Sequence, residues 1–465
     1  MSDFSALSTA ASALYAHQER IGVIGDNIAN IDTPGYARQR VDLGAIGSGT
    51  TGIFSGKALQ HGVDVVGITR RRDALLESTF RNSGGDAAKA IAESESLKSI
   101  EAQLGPLREG SFSDQLNQFF NSFDDLANEP DDPATRQVTL QRAEQVAGSI
   151  RSQADIFNTA RADVIDRVNA IVGEVNRLVD SIADLNLQVK AGSIGGATPN
   201  SLLGQRSEQL AQLAKLVDIT VTDGQNNEVN VSLDGQLLVS EGRATHIGVD
   251  SEVDAALTPL NMERITITAP SGRELSVGSG SLAGHLSSAN ETIPDLVADL
   301  NAFATKFVDD VNTLHATGFG QDGTDGRDLF SITGGLAESV TVHPDMVDHP
   351  EYLAASGTAT GTFDGTVAAQ LALLGSAADG PAKAYDAFVV KLGAETNRLD
   401  FAAQIATESA NHARFSLDAA VGVNLDEELT DLMSAQRAYE AAARMVTAVD
   451  EMLNTLINST GLVGR

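Results

Sequence analysis

Each end of the chain carries a long heptad pattern, and this pair of patterns constrains the fold more than any other sequence feature. The N-terminal pattern consists of Phe4, Leu7, Ala11, Leu14, Gln18, Ile21, Gly25 and Ile28. The C-terminal pattern consists of Leu425, Leu429, Leu432, Ala435, Tyr439, Ala442, Val446, Val449, Leu453 and Leu456. Because a helix with an apolar seam needs a partner, each of these helices must pack against another, and the two seams can bury each other.

Local signals predict where both helices begin and end. The residue before Pro34 is disfavoured in a helix, so we expect the first helix to end near Ile31. The last helix has Asn424 near its visible start and Gly461 just beyond its end, as helix termini prefer. A start further upstream, near His412, would give that helix about 45 residues and a length of roughly 70 Å.

The middle of the chain is mainly helical with one β-rich stretch. Helical patterning covers residues 73–216, with breaks at Gly105-Pro106 and Glu129-Pro130. Its clearest heptad run is Val164, Val168, Ile171, Val175, Leu178, Ile182, Leu185 and Val189. From Val217 the apolar period changes to two, with turn signals such as Asp234-Gly235, and this pattern predicts short strands.

These patterns predict a mainly α fold in which the terminal helices pair as a coiled coil and a long helical bundle carries a small inserted β-domain. The N-terminal half of the terminal helical domain, with a linker, covers residues 1–72. The bundle has two parts, residues 73–216 and a second part with a mixed segment at 281–411, and the β-domain between them covers 217–280. Residues 412–465 form the C-terminal half of the terminal domain.

Composition and charge exclude several classes of protein. The 465 residues include no cysteine, so disulfides, thiolate nucleophiles, iron–sulfur clusters and cysteine-ligated zinc are excluded. The formal charge of −31 disfavours nucleic acid and anionic membranes as partners. Of this charge, −28 falls on residues 73–411, which indicates a solvated middle between ends that pack against other protein, although acidic residues that merely keep the chain soluble would give the same pattern.

No motif indicates catalysis, a metal or a cofactor. Gly318, Gly320 and Gly323 match GxGxxG, but they follow a predicted helix and lack the strand–turn–helix context of a dinucleotide site. The aspartates of the same loop, Gly318 to Asp328, lack the alternate spacing of an EF-hand, so a solvated loop is expected and an adventitious cation is the alternative. His343 and His349 lack the HExxH context of zinc peptidases.

One dense basic run stands out from the acidic background. Arg70, Arg71 and Arg72 are consecutive, and in so acidic a chain we expect them to contact an acidic protein surface rather than phosphate. Nothing in the first thirty residues resembles a cleavable secretory signal, since they lack a basic segment followed by a continuous apolar one. The chain is therefore expected to be cytosolic or to leave the cell by another route.

Two strings resemble one known family. ANIDTPGY, from Ala29 to Tyr36, follows the N-terminal heptad helix and is similar to the signature of bacterial flagellar rod, hook and hook-associated proteins. QRAYEAAARMVTAVDEMLNTLIN, from Gln436 to Asn458, resembles the C-terminal helix of that family. The long helical middle followed by a β insertion resembles the hook-associated members that join hook to filament, with another axial protein of the rod or hook as the alternative. A secreted enzyme or adhesin that uses such ends as an export address is a further alternative.

The resemblance implies a structural subunit with several protein partners and without a cofactor. Family members self-associate in a ring or helical layer through paired terminal helices, and their middle domains face outward. A hook–filament junction member would contact the hook protein and a further hook-associated junction protein that leads to the flagellin filament. It would be exported unfolded by the flagellar type III apparatus, without a cleaved signal, after transient binding of its C-terminal helix to a cytosolic chaperone.

The resemblance also implies which residues contact partners. On the N-terminal side these are Phe4, Leu7, Leu14, Ile21, Ile28, Asn30, Thr33, Pro34, Gly35 and Tyr36. On the C-terminal helix the subunit or chaperone contacts are Leu425, Leu429, Leu432, Gln436, Tyr439, Arg444, Val446, Val449, Leu453 and Leu456. The residue pattern itself leaves alternatives to these contacts open. Pro34 to Tyr36 could form a purely local turn, and Tyr439 could pack in the core of the chain.

Overall fold

The chain folds mainly into α-helices. The computed structural model describes residues 2–33, 35–46, 62–105, 111–193, 199–361 and 363–459. The helices are α1 (Ser2–Ala29), α2 (Ala74–Leu104), α3 (Phe112–Asn128), α4 (Pro133–Gly192), α5 (Asn200–Leu216), α6 (Gly280–Ser287), α7 (Ile293–His315), α8 (Pro344–Asp348), α9 (Thr366–Leu374), α10 (Pro381–Val421) and α11 (Leu425–Ser459). A π-helical turn, Ser288–Thr292, joins α6 to α7. The predicted mainly α fold class is confirmed.

The strands of the described residues form small antiparallel sheets. They are β1 (Gln39–Ala45) and β2 (Val63–Arg70); β3 (Thr220–Asp223), β4 (Val229–Leu233), β5 (Gln236–Ser240) and β6 (Arg243–Ala244); β7 (Gly248–Glu252), β8 (Arg264–Thr268) and β9 (Glu274–Leu275); β10 (Phe330–Ser331) and β11 (Thr341–Val342). Each of these four groups is one sheet, and its strands are hydrogen-bonded in sequence order. The pairing of β1 with β2 has a bulge between Asp42 and Leu43.

Most helix boundaries follow the turn signals of the sequence. α2 ends before Gly105, whose φ of 77° is in the left-handed region, and α4 begins after Pro130. The last helix does not extend upstream to His412, because α10 ends at Val421 and a separate helix begins at Leu425. The side chain of Asn424 accepts hydrogen bonds from the backbone N–H groups of Asp426 at 3.0 Å and Glu427 at 3.4 Å. This cap starts a new helix where the heptad pattern alone allowed a continuous one.

The described residues form two compact units, and the strands of residues 217–280 are divided between them. Residues 1–85, 175–246 and 408–465 form a first compact unit, and residues 86–174 and 247–407 form a second. The sheet β3–β6 belongs to the first unit and the sheet β7–β9 to the second. The expected domain boundaries at residues 72, 216, 280 and 411 stay a prediction from the sequence.

In each of the sheets β3–β6 and β7–β9, one strand is hydrogen-bonded to an asparagine of a helical segment in the same unit. In the first unit, Asn186 on α4 donates from Nδ2 to the Val229 carbonyl at 2.8 Å and accepts from the Val229 N–H at 3.2 Å. In the second unit, Asn290 donates to the Ile265 carbonyl at 2.8 Å and accepts from its N–H at 2.9 Å. Because each amide satisfies both backbone groups of one strand residue, each sheet is bound to a different helical partner.

The second unit has a core rich in phenylalanine. Ser111 caps α3, and the apolar side of α3 faces inward with Phe119 and Phe123 fully buried. Phe307 of α7 packs against Phe119 and against Phe330 of β10, with ring centroids 5.8 Å and 4.9 Å apart. Rings at these distances are in favourable contact, so α3, α7 and the β10–β11 hairpin share one core.

His315 joins the end of α7 to two loops of the second unit. Its ring is fully buried, and Nδ1 donates to the carbonyl of Arg327 at 2.7 Å. Nε2 accepts a hydrogen bond from the backbone N–H of Ala354 at 2.9 Å. This pattern requires a neutral ring, and burial lowers the pKa of His315 to about 4.

The stability of the second unit should therefore fall in mild acid. Because the pKa of His315 is about 4 in the folded chain and about 6.5 when unfolded, the unfolded chain binds more protons between these values. The contribution of His315 is complete above about pH 6.5, and about 3 kcal/mol is lost as the pH falls to about 4. Chemical denaturation of His315→Gln, followed by circular dichroism across this interval, should show a smaller pH dependence than the unchanged chain.

His246→Gln serves as the matched control, because His246 is exposed and contacts Asp180 at 2.9 Å. This control should keep the pH dependence of the unchanged chain. Equal slopes for His315→Gln and the unchanged chain would contradict the assignment.

Candidate functional site: the paired ends of the chain

The first and last helices pack against each other within the first unit. On α1 the buried residues are Ala10, Ala16, Val23, Ile24 and Asn27. On α11 they are Glu428, Ala435, Ala442 and Val449, which are seven residues apart. Asn27 contacts Glu428, whereas the earlier Arg20 contacts the later Asp431, so the two helices run antiparallel. Small side chains on both faces allow the helix axes to approach closely.

A polar network closes one end of this helix pair. The carboxylate of Glu428 is buried, and Asn27 donates from Nδ2 to its Oε2 at 3.0 Å. Nε of Arg38 lies 2.6 Å from the other oxygen of Glu428, as an ion pair. The same guanidinium donates to Glu427 at 2.7 Å and to Asp431 at 3.0 Å. The buried charge is therefore compensated by one guanidinium and one amide.

The turn after α1 is tied into the same network. The hydroxyl of Tyr36 donates to Oδ1 of Asn27 at 2.9 Å, and the backbone N–H of Gln39 donates to that oxygen at 3.0 Å. Burial, with the nearby carboxylate of Asp26, raises the pKa of Tyr36, so the phenol stays a donor. The backbone N–H of Arg38 donates to the carbonyl of Val421 at the end of α10. The turn is thus fastened to both α1 and the segment that precedes α11.

Gly35 is required where the turn approaches α5. Its φ is 75°, and a Cβ at this position would lie 3.3 Å from the carbonyl oxygen of Gly204 and 3.4 Å from Cβ of Glu208. A larger residue would be strained in this conformation and would also crowd α5. Asn30 accepts from the hydroxyl of Thr33 at 3.2 Å and donates to the carbonyl of Asp26 at 2.9 Å. These contacts hold the turn before position 34, which lies outside the described residues.

The expected contact residues of α1 flank the packed face of the helix. Leu7, Leu14, Ile21 and Ile28 are half-buried. The face that packs contains Ala10, Ala16, Val23, Ile24 and Asn27, none of which belongs to the heptad pattern of the sequence. The side chains of Phe4 and Leu456 lie outside the described residues, as does Pro34.

The expected contact residues of α11 also divide into packed and open positions. Val449 is buried against α1, and Leu432, Val446 and Leu453 are half-buried. Leu425, Leu429, Gln436, Tyr439 and Arg444 are exposed. The sequence patterns did not identify Arg38, Asn27 or the structural role of Glu428. The sequence does place Glu428 seven residues before Ala435, and this heptad spacing could have indicated that Glu428 lies on the packed face. The open positions are therefore free to contact other molecules.

The other motifs have local structural roles. Asp322 of the Gly318 to Asp328 loop forms a bidentate pair with Arg327, which lowers the pKa of Asp322 to about 2. The Arg327 guanidinium lies 3.8 Å above the ring of Tyr352. His349 contacts Glu351 at 3.0 Å. Within the described ranges, no cluster of three or more His, Asp or Glu side chains could hold a metal ion, and no helix is long and apolar enough to cross a membrane.

Replacing Arg38 should weaken the pairing of the chain ends. In Arg38→Met the buried carboxylate of Glu428 loses its guanidinium, and removal of one partner from such a pair costs about 3 kcal/mol. Amide hydrogen exchange of α11 should accelerate by about two orders of magnitude. The matched control is Arg40→Met, two residues further on in β1, where the side chain is exposed, and it should change exchange little.

A second substitution separates charge burial from general damage. Adding Glu428→Met to Arg38→Met removes the unpaired charge and should restore most of the protection of α11. Equal effects of Arg38→Met and Arg40→Met, or failure of the double variant to recover any protection, would contradict the network.

Three family models match this chain. The flagellar hook-associated protein FlgK helical domain matches residues 97–330. The C-terminal model of the flagellar basal body rod FlgEFG proteins matches residues 419–459, and the flagella basal body rod protein model matches residues 7–36. The last two matches lie on α11 and on α1 with its turn.

Two relatives carry the same name, and one solved structure matches part of the chain. Flagellar hook-associated protein 1 of Bacillus subtilis (strain 168) is 28% identical over 516 residues, covering 100% of both chains. The protein of the same name from Salmonella typhimurium is 28% identical over 335 residues, which is 70% of this chain and 59% of that protein. The structure of the flagellar hook junction protein FlgK from Burkholderia pseudomallei matches with a TM-score of 0.48 and 22% identity, covering 55% of this chain and 46% of that one.

Proposed function

This chain belongs to the family of flagellar hook-associated protein FlgK, whose helical-domain model matches half of it, and from this membership we propose that it is a structural subunit at the junction of hook and filament. In this role it polymerises through its paired terminal helices and is required for filament assembly and motility. It acts by assembly and performs no catalysis. The Bacillus subtilis relative that carries the name flagellar hook-associated protein 1 supports this assignment along the whole chain.

The observation that carries the proposal is an apolar surface on α11 that its pairing with α1 leaves open. Leu425, Leu429 and Met433 are 45%, 44% and 53% exposed. They are four residues apart, so they lie along one side of the helix. Contiguous apolar surface of this kind marks a protein contact. The helix pair therefore requires further protein around it.

Other copies of this chain are the partners that best suit this surface. Tyr15 of α1 is 72% exposed, so both members of the helix pair present large apolar groups. The network around Glu428 holds α11 on α1 in one register and presents these groups in a fixed arrangement. A repeated subunit can use the same arrangement at each step of a ring or helical layer. The hook protein on one side and a further hook-associated protein on the other complete the proposed contacts.

The same surface suits a transient partner before assembly. An exposed apolar stripe on α11 would promote aggregation in the cytosol, and a chaperone that covers it would prevent this. We infer that export through the flagellar apparatus follows, without cleavage of a signal. The chain then functions outside the cell, in the flagellum.

A charge placed on the open face of α11 should block assembly and leave the monomer folded. In Leu429→Glu the new carboxylate lies at an exposed position, so the thermal unfolding of the purified chain should change little. Burial of that carboxylate between subunits would be strongly unfavourable, so cells that carry only this variant should lack filaments and motility. Electron microscopy of the cells and swimming assays provide the measurement.

The control variant is Ser434→Glu, which adds the same charge at an exposed polar position of α11. These cells should assemble filaments normally. Immunoblots of the culture medium distinguish failed assembly from failed export, because a subunit that is exported but not incorporated accumulates there. Normal filaments in cells with Leu429→Glu would refute the proposed interface.

A further inference from the structure

An arginine-lined cavity lies in the first unit, away from the α1–α11 pair. It has a volume of about 370 Å³. Its walls come from the end of β2, the start of α2, α5 and the β3–β4 hairpin. Four arginines line it: Arg70, Arg72, Arg81 and Arg206. Two of them belong to the basic run that we expected to meet an acidic surface.

The carboxylates of the cavity wall are already engaged. Arg72 donates from Nε to Glu77 at 3.0 Å and from Nη1 to both oxygens of Asp223 at 3.1 and 3.2 Å. The third wall carboxylate, Glu228, contacts Nζ of Lys190 at 2.8 Å. One arginine and one lysine thus account for the three acids of the wall.

The remaining three guanidiniums have no carboxylate this close. Arg70 reaches Glu77 only at 4.0 Å and donates to the hydroxyl of Ser207 at 3.1 Å. Arg206 donates to two neutral acceptors, Oδ1 of Asn186 and the carbonyl of Asn227. For Arg81, no ion pair within 4 Å occurs in the part of the chain that the structure describes. Positive charge is therefore in excess around this cavity.

Burial makes this excess costly. Arg206 is 7% exposed, and Nε of Arg70 is buried without an acceptor. Burial lowers the pKa of Arg206 to about 10, and it also lowers the pKa values of Arg70 and Arg81. Arginine is rarely fully buried in native proteins unless it is paired. A negative group in the cavity would offset the excess positive charge of the guanidiniums that line it.

We propose that this cavity binds an oxyanion group, held by Arg70, Arg81 and Arg206. Guanidinium groups present parallel N–H donors that match the oxygens of phosphate, sulfate or carboxylate. The cavity is larger than one such ion, so it also has room for water or for a side chain that carries the group. The group is either a free ion or a carboxylate of a second copy of this chain. Oxyanion binding is independent of the proposed function, and the second source alone rests on the self-association proposed there.

Isothermal titration of the purified full chain with inorganic phosphate, at constant ionic strength, tests the proposal. The unchanged chain should bind phosphate saturably. Arg81→Gln should weaken binding by roughly tenfold, since it removes one charge-assisted contact. The matched control is Arg71→Gln, the exposed neighbour within the basic run, which should bind as the unchanged chain does. Absence of saturable binding, or equal weakening by both variants, would overturn the proposal.

A second measurement needs no substitution. Crystals of the unchanged chain soaked in selenate, an anomalous scatterer that resembles sulfate, should show a peak within hydrogen-bonding distance of Arg81 and Arg206. Peaks found only elsewhere on the surface would mean an adventitious ion only and would reject the site.

Self-association of the chain then distinguishes a free ion from a carboxylate of a second copy as the source of the oxyanion group. If a second copy supplies a carboxylate, phosphate bound to the dilute chain should be released when the chain assembles. If the group is a free ion, phosphate should stay bound in the assembly. Either result supports an oxyanion site and identifies its occupant.

Discussion

The buried carboxylate of Glu428 fixes how the two ends of the chain meet. A buried charge is strongly destabilising unless it is paired, and among the described residues Arg38 and Asn27 supply the partners. If α11 moved by one turn along α1, Glu428 would lose both. The alanines of the packed face allow close approach, but similar small residues recur along both helices and define no register. The polar network therefore supplies the specificity that the apolar packing lacks.

The network also explains why the turn after α1 has its particular residues. Asn27 accepts from the Tyr36 hydroxyl and from the Gln39 backbone, while its amide nitrogen donates to Glu428. One side chain thus connects the helix end, the turn and α11. Tyr36 can serve as a donor only if the chain reverses direction within a few residues, and Gly35 permits that reversal at a positive φ. The string from Ala29 to Tyr36, which resembles a family signature, therefore has residues with structural roles in this chain.

Sequence patterns predicted the helices well and their polar contacts poorly. The heptad run through α4 and the breaks at Gly105 and Pro130 depend on local preferences, so both were visible in the sequence. The heptad pattern of α11 also included Ala435, Ala442 and Val449 of the packed face, but it did not include Glu428, because this residue resembles any exposed acid of a first helical turn. The β-rich stretch was predicted as strands but assigned to one domain. The apolar periodicity indicates that Val229 and Ile265 lie in strands. It does not indicate that Val229 is hydrogen-bonded to Asn186 in the first unit and Ile265 to Asn290 in the second.

The distribution of charge supports assembly through the chain ends. Most of the −31 formal charge lies in the middle of the sequence, and copies of so acidic a surface repel one another at short range. Residues 1–72 are nearly neutral, and in α11 the acids Glu427, Glu428 and Asp431 are paired with Arg38. Arg38 offsets part of this negative charge, and Leu425, Leu429 and Met433 are exposed on the same helix. Contacts between copies are therefore least unfavourable at the paired termini, where the net charge is much smaller than in the middle of the chain and apolar groups are exposed.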